Sequence, residues 1–319
     1  MTIPVIDLSR YLHGGAGDRR AVARETDRVC RETGFLSVIG HGVPESTINN
    51  LYAVTKAFFH QPFTTKIKVC QPGAAIVRGY IGMGKGALAS TMGETTPPDL
   101  KETYNVGPEG RARAAPNLWP ENDPAFRAAF LAYYAEMDRL GLDLMRLFAE
   151  ALDLEPGHFD GAFGHHQSVL SAMYYPDQPE PPREGQLRAG AHTDFGTLTI
   201  LRPDNAPGGL QLKTKAGDWL PARAAKDSFV INIGDMMARW TNDRWVSTLH
   251  RVANPPRDLA SGTERLSIGF FHQPNDDFIV DCLPGCRDEK GRALYPPVAA
   301  GDYMTARFTS QIVSSPRET

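Results

Sequence analysis

The sequence predicts a mainly β protein with flanking helices and a helical N-terminal region. Between Val169 and His272, short runs rich in β-branched and aromatic residues alternate with turns that contain Gly, Pro or Asn. Many short strands separated in this way are typical of a sandwich or a barrel. Apolar residues at helical spacing recur in the preceding segments, so we expect helices around the β core.

The N-terminal region begins with IPVIDLS, which predicts a short strand, followed by a helix over residues 21–32. GFLSVIGHGV, which starts at Gly34, predicts a buried strand, and Pro44 opens a helix that runs towards Lys68. The segment 71–110 is rich in Gly, Pro and Thr, which predicts a long irregular stretch. Such stretches often border a functional site, so we expect Tyr80 either at the substrate mouth or in plain loop structure.

A long helix is predicted from Asp123 to about Leu152, because Asp123 can cap it and its apolar residues recur at three- and four-residue steps. The expected organisation is an N-terminal region (1–120), a supporting helix and connector (121–164), a β core (165–275) and a C-terminal extension (276–319). We expect these parts to form one compact unit.

Composition excludes several classes of function. A formal charge of −3 gives no sign of a nucleic-acid or membrane-surface partner. No apolar stretch approaches the roughly 20 residues that cross a bilayer, and the N-terminus does not resemble a signal peptide. The four scattered cysteines do not make a disulfide framework. We therefore expect a cytoplasmic protein that binds neither nucleic acid nor membrane. We also expect a monomer that acts on a small molecule.

The stretch AHTDFGTLTI places His192 and Asp194 two positions apart in what otherwise reads as one strand. Alternate strand residues share a face, so both side chains would point the same way. They could line the polar face of a surface strand, or they could bind one metal together with a third ligand. His250, at the start of the predicted strand HRVANP, is the candidate third ligand. Two imidazoles and one carboxylate form the facial triad of non-haem Fe(II) oxygenases.

A second pair of residues, Arg265 and Ser267 in RLSIGFFH, also differs by two positions. We expect both on the inner face of a strand, together with Phe271 and Gln273. A buried arginine is costly unless an anion meets it. Its guanidinium can grip a carboxylate through two hydrogen bonds, and the serine hydroxyl adds a donor. The alternative is a structural salt bridge to an internal Asp or Glu.

These motifs resemble the Fe(II)/2-oxoglutarate-dependent dioxygenases of the isopenicillin N synthase-like family over nearly the whole chain. H-x-D, the distant histidine and R-x-S occur in the family's order, among the landmarks IPVIDLS, GFLSVIGHGVP, DLKE, MYYP, PGGLQL, NIGD and LHRV. The resemblance implies a double-stranded β-helix, or jelly roll, as the core. It also implies Fe(II) bound by His192, Asp194 and His250.

The same resemblance implies that Arg265 and Ser267 bind the distal carboxylate of 2-oxoglutarate and that Tyr175 adds a hydrogen bond. Met173 stands where many relatives carry asparagine, which leaves the contacts near the cosubstrate open. Phe271 would pack against the substrate. Gln273 and Tyr80 are further candidates for substrate contact.

The implied reaction consumes 2-oxoglutarate and O2, releases succinate and CO2, and oxidises a small organic substrate. Hydroxylation, desaturation and ring closure all remain open. One alternative is an Fe(II) oxidase of the same fold that does not consume 2-oxoglutarate, which succinate detection would distinguish. Another is a zinc-binding, cupin-like protein, which metal analysis would identify.

Overall fold

The computed structural model describes residues 1–73, 76–111, 114–259 and 261–313, with side chains up to Arg307. Its strands are β1 (Val5–Asp7), β2 (Phe35–Ile39), β3 (Gly79–Ile81), β4 (Glu102–Val106), β5 (Val169–Tyr175), β6 (Ala189–His192), β7 (Leu198–Arg202), β8 (Gly209–Lys213), β9 (Trp219–Pro221), β10 (Phe229–Ile233), β11 (His250–Ala253), β12 (Arg265–His272), β13 (Ile279–Val280) and β14 (Val298–Ala299). Its helices are α1 (Leu8–His13), α2 (Ala16–Glu32), α3 (Glu45–Phe59), α4 (Phe63–Lys66), α5 (Pro124–Ala151), α6 (Asp235–Trp240) and α7 (Ala300–Val313).

Two sheets form the jelly-roll core that the resemblance implied. The larger has eight strands in the order β1-β2-β10-β7-β12-β5-β4-β3, and the smaller has four in the order β6-β11-β8-β9. Helices cover the outer face of the larger sheet, where Tyr134 of α5 meets Phe270 of β12 edge to face. Among the described helices, none has both the length and the apolar character needed to cross a membrane.

Two predicted helices compare differently with the structure. The long helix α5 begins as predicted, since the carboxylate of Asp123 accepts a hydrogen bond from the Phe126 amide at 3.0 Å. The helix that starts after Pro44 ends at Phe59 rather than near Lys68. Pro62 explains the difference, because the residue before a proline is disfavoured in helical conformation.

The stretch from Ala189 to Arg202 is two strands in different sheets, and the prediction of one continuous strand was wrong. β6 ends at His192, so Asp194 lies in the connection that carries the chain to β7 in the larger sheet. Gly196 allows this crossing, because a Cβ there would lie 2.8 Å from the carbonyl oxygen of His272.

Strands β4, β5 and β12 fix which residues face the interior. Their antiparallel register places Arg265 opposite Tyr175, and Ser267 opposite Met173, which is itself opposite Thr103. These residues therefore share one face, towards the smaller sheet. β3 and β4 also correct the expectation that residues 71–110 are irregular throughout.

Candidate metal centre and cosubstrate site

The three predicted metal ligands lie together between the two sheets. His192 ends β6 and His250 begins β11, and the two are paired across these antiparallel strands. Oδ1 of Asp194 is 3.7 Å from Nε2 of His192 and 3.8 Å from Nε2 of His250. One ligand atom from each residue falls within 4.8 Å of the others, which is compact enough for a single ion.

Backbone carbonyls fix the orientation of both imidazoles. Nδ1 of His192 lies 2.8 Å from the Gly190 carbonyl oxygen, and Nδ1 of His250 lies 3.1 Å from that of Thr248. A carbonyl only accepts, so each Nδ1 carries the hydrogen and each Nε2 offers its lone pair to the centre.

The two oxygens of Asp194 have different tasks. Oδ2 accepts hydrogen bonds from Oγ1 of Thr199 at 2.6 Å and from Nδ2 of Asn232 at 2.7 Å. Oδ1 faces the two imidazoles and accepts no hydrogen bond from the described residues. Sequence analysis missed both donors, although Asn232 gave a signal as the one polar residue in the buried run FVINI.

The electrostatics of the centre favour a metal-binding protonation state. Burial lowers the pKa of His192, and the neighbouring His250 lowers it further, so the imidazole of His192 stays neutral. Burial alone would raise the pKa of Asp194, but the two histidines and the two hydrogen bonds outweigh it and lower the pKa. Neutral imidazole and ionised carboxylate are the forms that bind a metal, so the donor set fits Fe(II).

Arg265 is buried without a carboxylate partner among the described residues. The residue is 4% exposed, and its Nη1 lies 3.4 Å from the Ala206 carbonyl oxygen. Its Nε has no acceptor, and no carboxylate of the described residues lies within ion-pair distance. The alternative of a structural salt bridge therefore has no partner within that part of the chain. Ser267 and Tyr175 are beside Arg265 on the same inner face. Within the part of the chain that the structure describes, the Tyr175 hydroxyl has one hydrogen-bond contact, with the sulfur of Met173 at 4.0 Å.

A second buried arginine, Arg188, lies close to Arg265 and was missed by sequence analysis. Its guanidinium donates to the carbonyls of Pro207 and Pro176, at 3.1 and 3.3 Å, and to that of Thr263. Burial lowers the pKa of Arg188, and the positive charge of Arg265 adds to the effect. Two neighbouring buried cations favour an anionic ligand. An arginine four positions before the first metal-ligand histidine was the available signal.

Two of the three residues predicted to contact the substrate, Phe271 and Gln273, lie near the metal centre and the cosubstrate site. Phe271 lies on the inner face beside Met173, since a Cβ on Gly269 would contact both side chains, at 3.5 and 3.1 Å. Gln273 follows the end of β12 and lies against Gly196, in the connection that holds Asp194.

Tyr80 lies on the opposite face, which corrects the expectation that it contacts the substrate. It pairs with Tyr104 of β4. Tyr104 follows Thr103, which is on the inner face, so the rings of Tyr104 and Tyr80 lie on the outer face of the larger sheet. There its hydroxyl donates to Glu102 at 2.6 Å and its ring packs edge to face with Phe58. The cause is the regular strand β3, where the sequence allowed a loop.

Comparisons with known proteins agree with this geometry. Residues 3–122 match the family described as non-haem dioxygenase in morphine synthesis, N-terminal, and residues 166–274 match the 2OG-Fe(II) oxygenase superfamily. A 2-oxoglutarate-Fe(II) type oxidoreductase, hxnY of Emericella nidulans, is 31% identical over 96% of this chain and 89% of its own.

Two further relatives have named small-molecule ligands or substrates. A homoarginine-6-hydroxylase of Arabidopsis thaliana is 32% identical over 90% of this chain and 89% of its own. The crystal structure of a full-length Neurospora crassa protein in complex with alpha-KG and thymine superposes with a TM-score of 0.86 at 28% identity, over 97% of this chain and 96% of that one. The chain therefore belongs to the 2OG-Fe(II) oxygenase superfamily and is a 2-oxoglutarate-dependent dioxygenase of the isopenicillin N synthase-like family.

Proposed function

We propose that the protein oxidises a small organic molecule beside the triad, consuming 2-oxoglutarate and O2 and releasing succinate and CO2. The observation that carries the cosubstrate assignment is the buried guanidinium of Arg265, which lacks a carboxylate partner among the described residues. A buried charge of this kind needs an anion, and a dicarboxylate such as 2-oxoglutarate supplies one. We further propose that the protein acts as a monomer and does not bind nucleic acid.

Each part of the site has a distinct role in this proposal. His192, Asp194 and His250 would hold Fe(II), which when bound activates O2 for the oxidation. Arg265 grips the distal carboxylate of 2-oxoglutarate through its planar fork, and Ser267 adds a hydroxyl donor. Tyr175 can turn its hydroxyl from the weak sulfur acceptor of Met173 to a carboxylate oxygen.

The remaining contribution of the chain is to orient the substrate and exclude water. Phe271 offers an apolar ring on the inner face, and Gln273 offers an amide beside the connection that holds Asp194. Thymine in the Neurospora crassa structure and homoarginine in the plant hydroxylase are small molecules. They support a small-molecule substrate here and suggest hydroxylation as the first reaction to test.

Succinate formation tests the proposal. Protein purified without oxygen and loaded with Fe(II) would receive 2-oxoglutarate, O2 and a panel of small molecules that includes thymine and L-homoarginine. We expect succinate from the wild-type protein, stimulated by one class of compound, and none from His192→Ala. Oxygen uptake without succinate would support the oxidase alternative. Tightly bound zinc in a protein that takes up no iron would support the cupin-like alternative.

A further inference from the structure

Lys101, which the proposed function does not use, lies on the inner face next to the triad. It directly precedes β4, where Glu102 pairs with Tyr174 and Thr103 pairs with Met173. Continued by one residue, this register puts Lys101 opposite Tyr175, on the face that also carries Arg265. The Lys101 side chain is only 16% exposed, so a cationic ammonium group is largely enclosed at this position.

The charge of Lys101 is only loosely compensated. Its Nζ lies 3.5 Å from Oδ2 of Asp99, which is the one carboxylate within ion-pair distance among the described residues. Asp99 is itself committed to the backbone, because it accepts from the Gly190 amide at 2.9 Å and from the Leu88 amide at 3.2 Å. The 3.5 Å contact with Asp99 takes up at most one of the three ammonium donors, and no other described residue accepts from them, so the rest are available for a ligand.

Asp99 anchors this lysine beside the metal centre. Its bond to Gly190 holds the strand β6, and the carbonyl of the same Gly190 orients the imidazole of His192. The charge of Lys101 also reaches Tyr175, because it opposes the rise that burial imposes on the pKa of this tyrosine.

An anion bound by Lys101 would occupy a different position from the 2-oxoglutarate carboxylate at Arg265. In the strand order β12-β5-β4, Arg265 and Lys101 lie on opposite sides of Tyr175. Strands are about 4.8 Å apart, so the two backbones are separated by roughly 10 Å. Arg188 adds its charge near Arg265. Lys101 is the cation on the His192 side, because the Asp99 carboxylate beside it binds the Gly190 amide, two residues before His192. The inner face thus carries two positive regions, which suits a second anionic group.

We propose that Lys101 binds a carboxylate of the substrate beside the triad, so that the substrate is an organic acid. The inference rests on the proposed function, since it takes the space between the sheets as the substrate site. Lys101 is the specificity-determining residue and Asp99 is the positioning residue that holds it there. A compact ammonium suits a single carboxylate oxygen, in contrast to the planar fork of Arg265.

Paramagnetic relaxation with a simple acid tests this proposal without knowledge of the natural substrate. Mn(II) would replace Fe(II), saturating 2-oxoglutarate would fill the cosubstrate site, and butanoate labelled at its carboxyl carbon would be the probe. We expect saturable relaxation of this carbon in the wild-type protein and little effect on butanamide. Lys101→Met should weaken butanoate binding about tenfold or more, because it removes one charge-assisted hydrogen bond. Lys101→Arg should retain most of it.

Several outcomes would overturn the proposal. Equal relaxation of butanoate and butanamide, no relaxation in the wild type, or unchanged butanoate binding by Lys101→Met would each remove the carboxylate site. Loss of 2-oxoglutarate binding in Lys101→Met would assign the lysine to the cosubstrate instead. Titration of 2-oxoglutarate into the wild-type Mn(II) protein separates the two proposals. If 2-oxoglutarate binds and butanoate does not, only the role of Lys101 fails, whereas no binding of 2-oxoglutarate contradicts the proposed function.

Discussion

Asn232 and Thr199 decide which oxygen of Asp194 is free for a metal. Both donate to Oδ2, which leaves Oδ1 directed at the imidazoles of His192 and His250. A ligating carboxylate held in this way needs little reorganisation when the ion binds. Residues that orient ligands from behind typically change metal affinity by roughly 10–100-fold when they are replaced.

Asn232→Leu should therefore weaken metal binding by about 10–100-fold, because it removes one of the two donors while nearly preserving side-chain shape. Mn(II) titration followed by electron paramagnetic resonance would measure the change. Asn105→Leu is the matched control, since Asn105 is also buried but makes no hydrogen bond to the triad. Wild-type metal affinity in Asn232→Leu would show that this hydrogen bond does not organise the site.

Single residues were predictable from the sequence only where chemistry and spacing coincided. His192, Asp194 and Arg265 stand out because polar groups interrupt apolar runs at two-residue steps. Asn232 donates to Asp194, and Arg188 donates to the carbonyls of Pro207 and Thr263, which are all distant in the sequence. Local spacing carries no information on which segments become neighbours. The roles of Asn232 and Arg188 therefore emerged only from the structure.

At the scale of elements, the glycine that begins β8 leaves space for the guanidinium of Arg265. Gly209 has a φ of 110°, and a Cβ there would lie 2.9 Å from Nη1 of Arg265. A side chain would thus push the guanidinium away from its position. Gly217 has a similar φ of 97° but nothing within 4 Å of the added Cβ.

Gly209→Ala should consequently weaken 2-oxoglutarate binding about tenfold or more, whereas Gly217→Ala should leave it close to wild type. Both substitutions strain a left-handed backbone, so their comparison isolates the displacement of Arg265. Calorimetric titration of 2-oxoglutarate into the Mn(II) protein would give both affinities. Equal losses in the two variants would attribute the effect to backbone strain.

Elements were predictable where periodicity ran uninterrupted, as in α5 and β12. The sequence did not reveal the break between β6 and β7, because the residues on both sides have strand character and Gly196 permits the crossing. His192 and Asp194 still meet at one point. They do so through a change of sheet, and not because they share the face of one strand.

At the scale of the whole molecule, the N-terminal region and the β core share one sheet. β2 pairs with β10 through Ser37 and Val230, and β1 extends the same edge. The jelly roll was predictable through the ordered landmarks, since short strands alone allowed any sandwich or barrel. The cytoplasmic location and the boundaries given for the four parts of the chain stay predictions.

His272 makes the stability of the molecule sensitive to acid. The residue is completely buried, its ring stacks on Phe163 at 4.3 Å, and neither ring nitrogen has a hydrogen-bond partner among the described residues. Burial, and then the charges of His166 and Arg111, hold the pKa of His272 well below its ordinary value. In the unfolded chain this imidazole takes up a proton near pH 6.5, whereas in the folded chain it stays neutral. The free energy of unfolding therefore decreases as the pH falls below about 6.5.

His272→Leu should flatten the pH dependence of the free energy of unfolding. The side chain of similar volume cannot take up a proton, so the variant should escape a loss of up to about 2 kcal/mol between pH 6.5 and 5. Urea unfolding at a series of pH values would measure this. His158→Leu, at an exposed position, is the control and should keep the wild-type slope. An unchanged slope in His272→Leu would mean that the buried ring does not limit acid stability.

The central claim is that Arg265 holds the distal carboxylate of 2-oxoglutarate while the triad binds iron. Removing one partner of a buried ion pair costs on the order of 3–5 kcal/mol, or a factor of hundreds or more in affinity. Arg265→Lys should be affected less, since an ammonium keeps the charge but cannot form the fork. Arg265→Leu and Arg265→Lys should both keep the iron affinity of the wild-type protein, because Arg265 is not a ligand.

Titration of 2-oxoglutarate into the anaerobic Fe(II) protein, followed by the metal-to-ligand charge-transfer band, tests this claim most directly. We expect the band in the wild-type protein, and in Arg265→Leu only at concentrations hundreds of times higher. Absence of the band in the wild type, or its appearance in Arg265→Leu at unchanged concentration, would contradict the assignment.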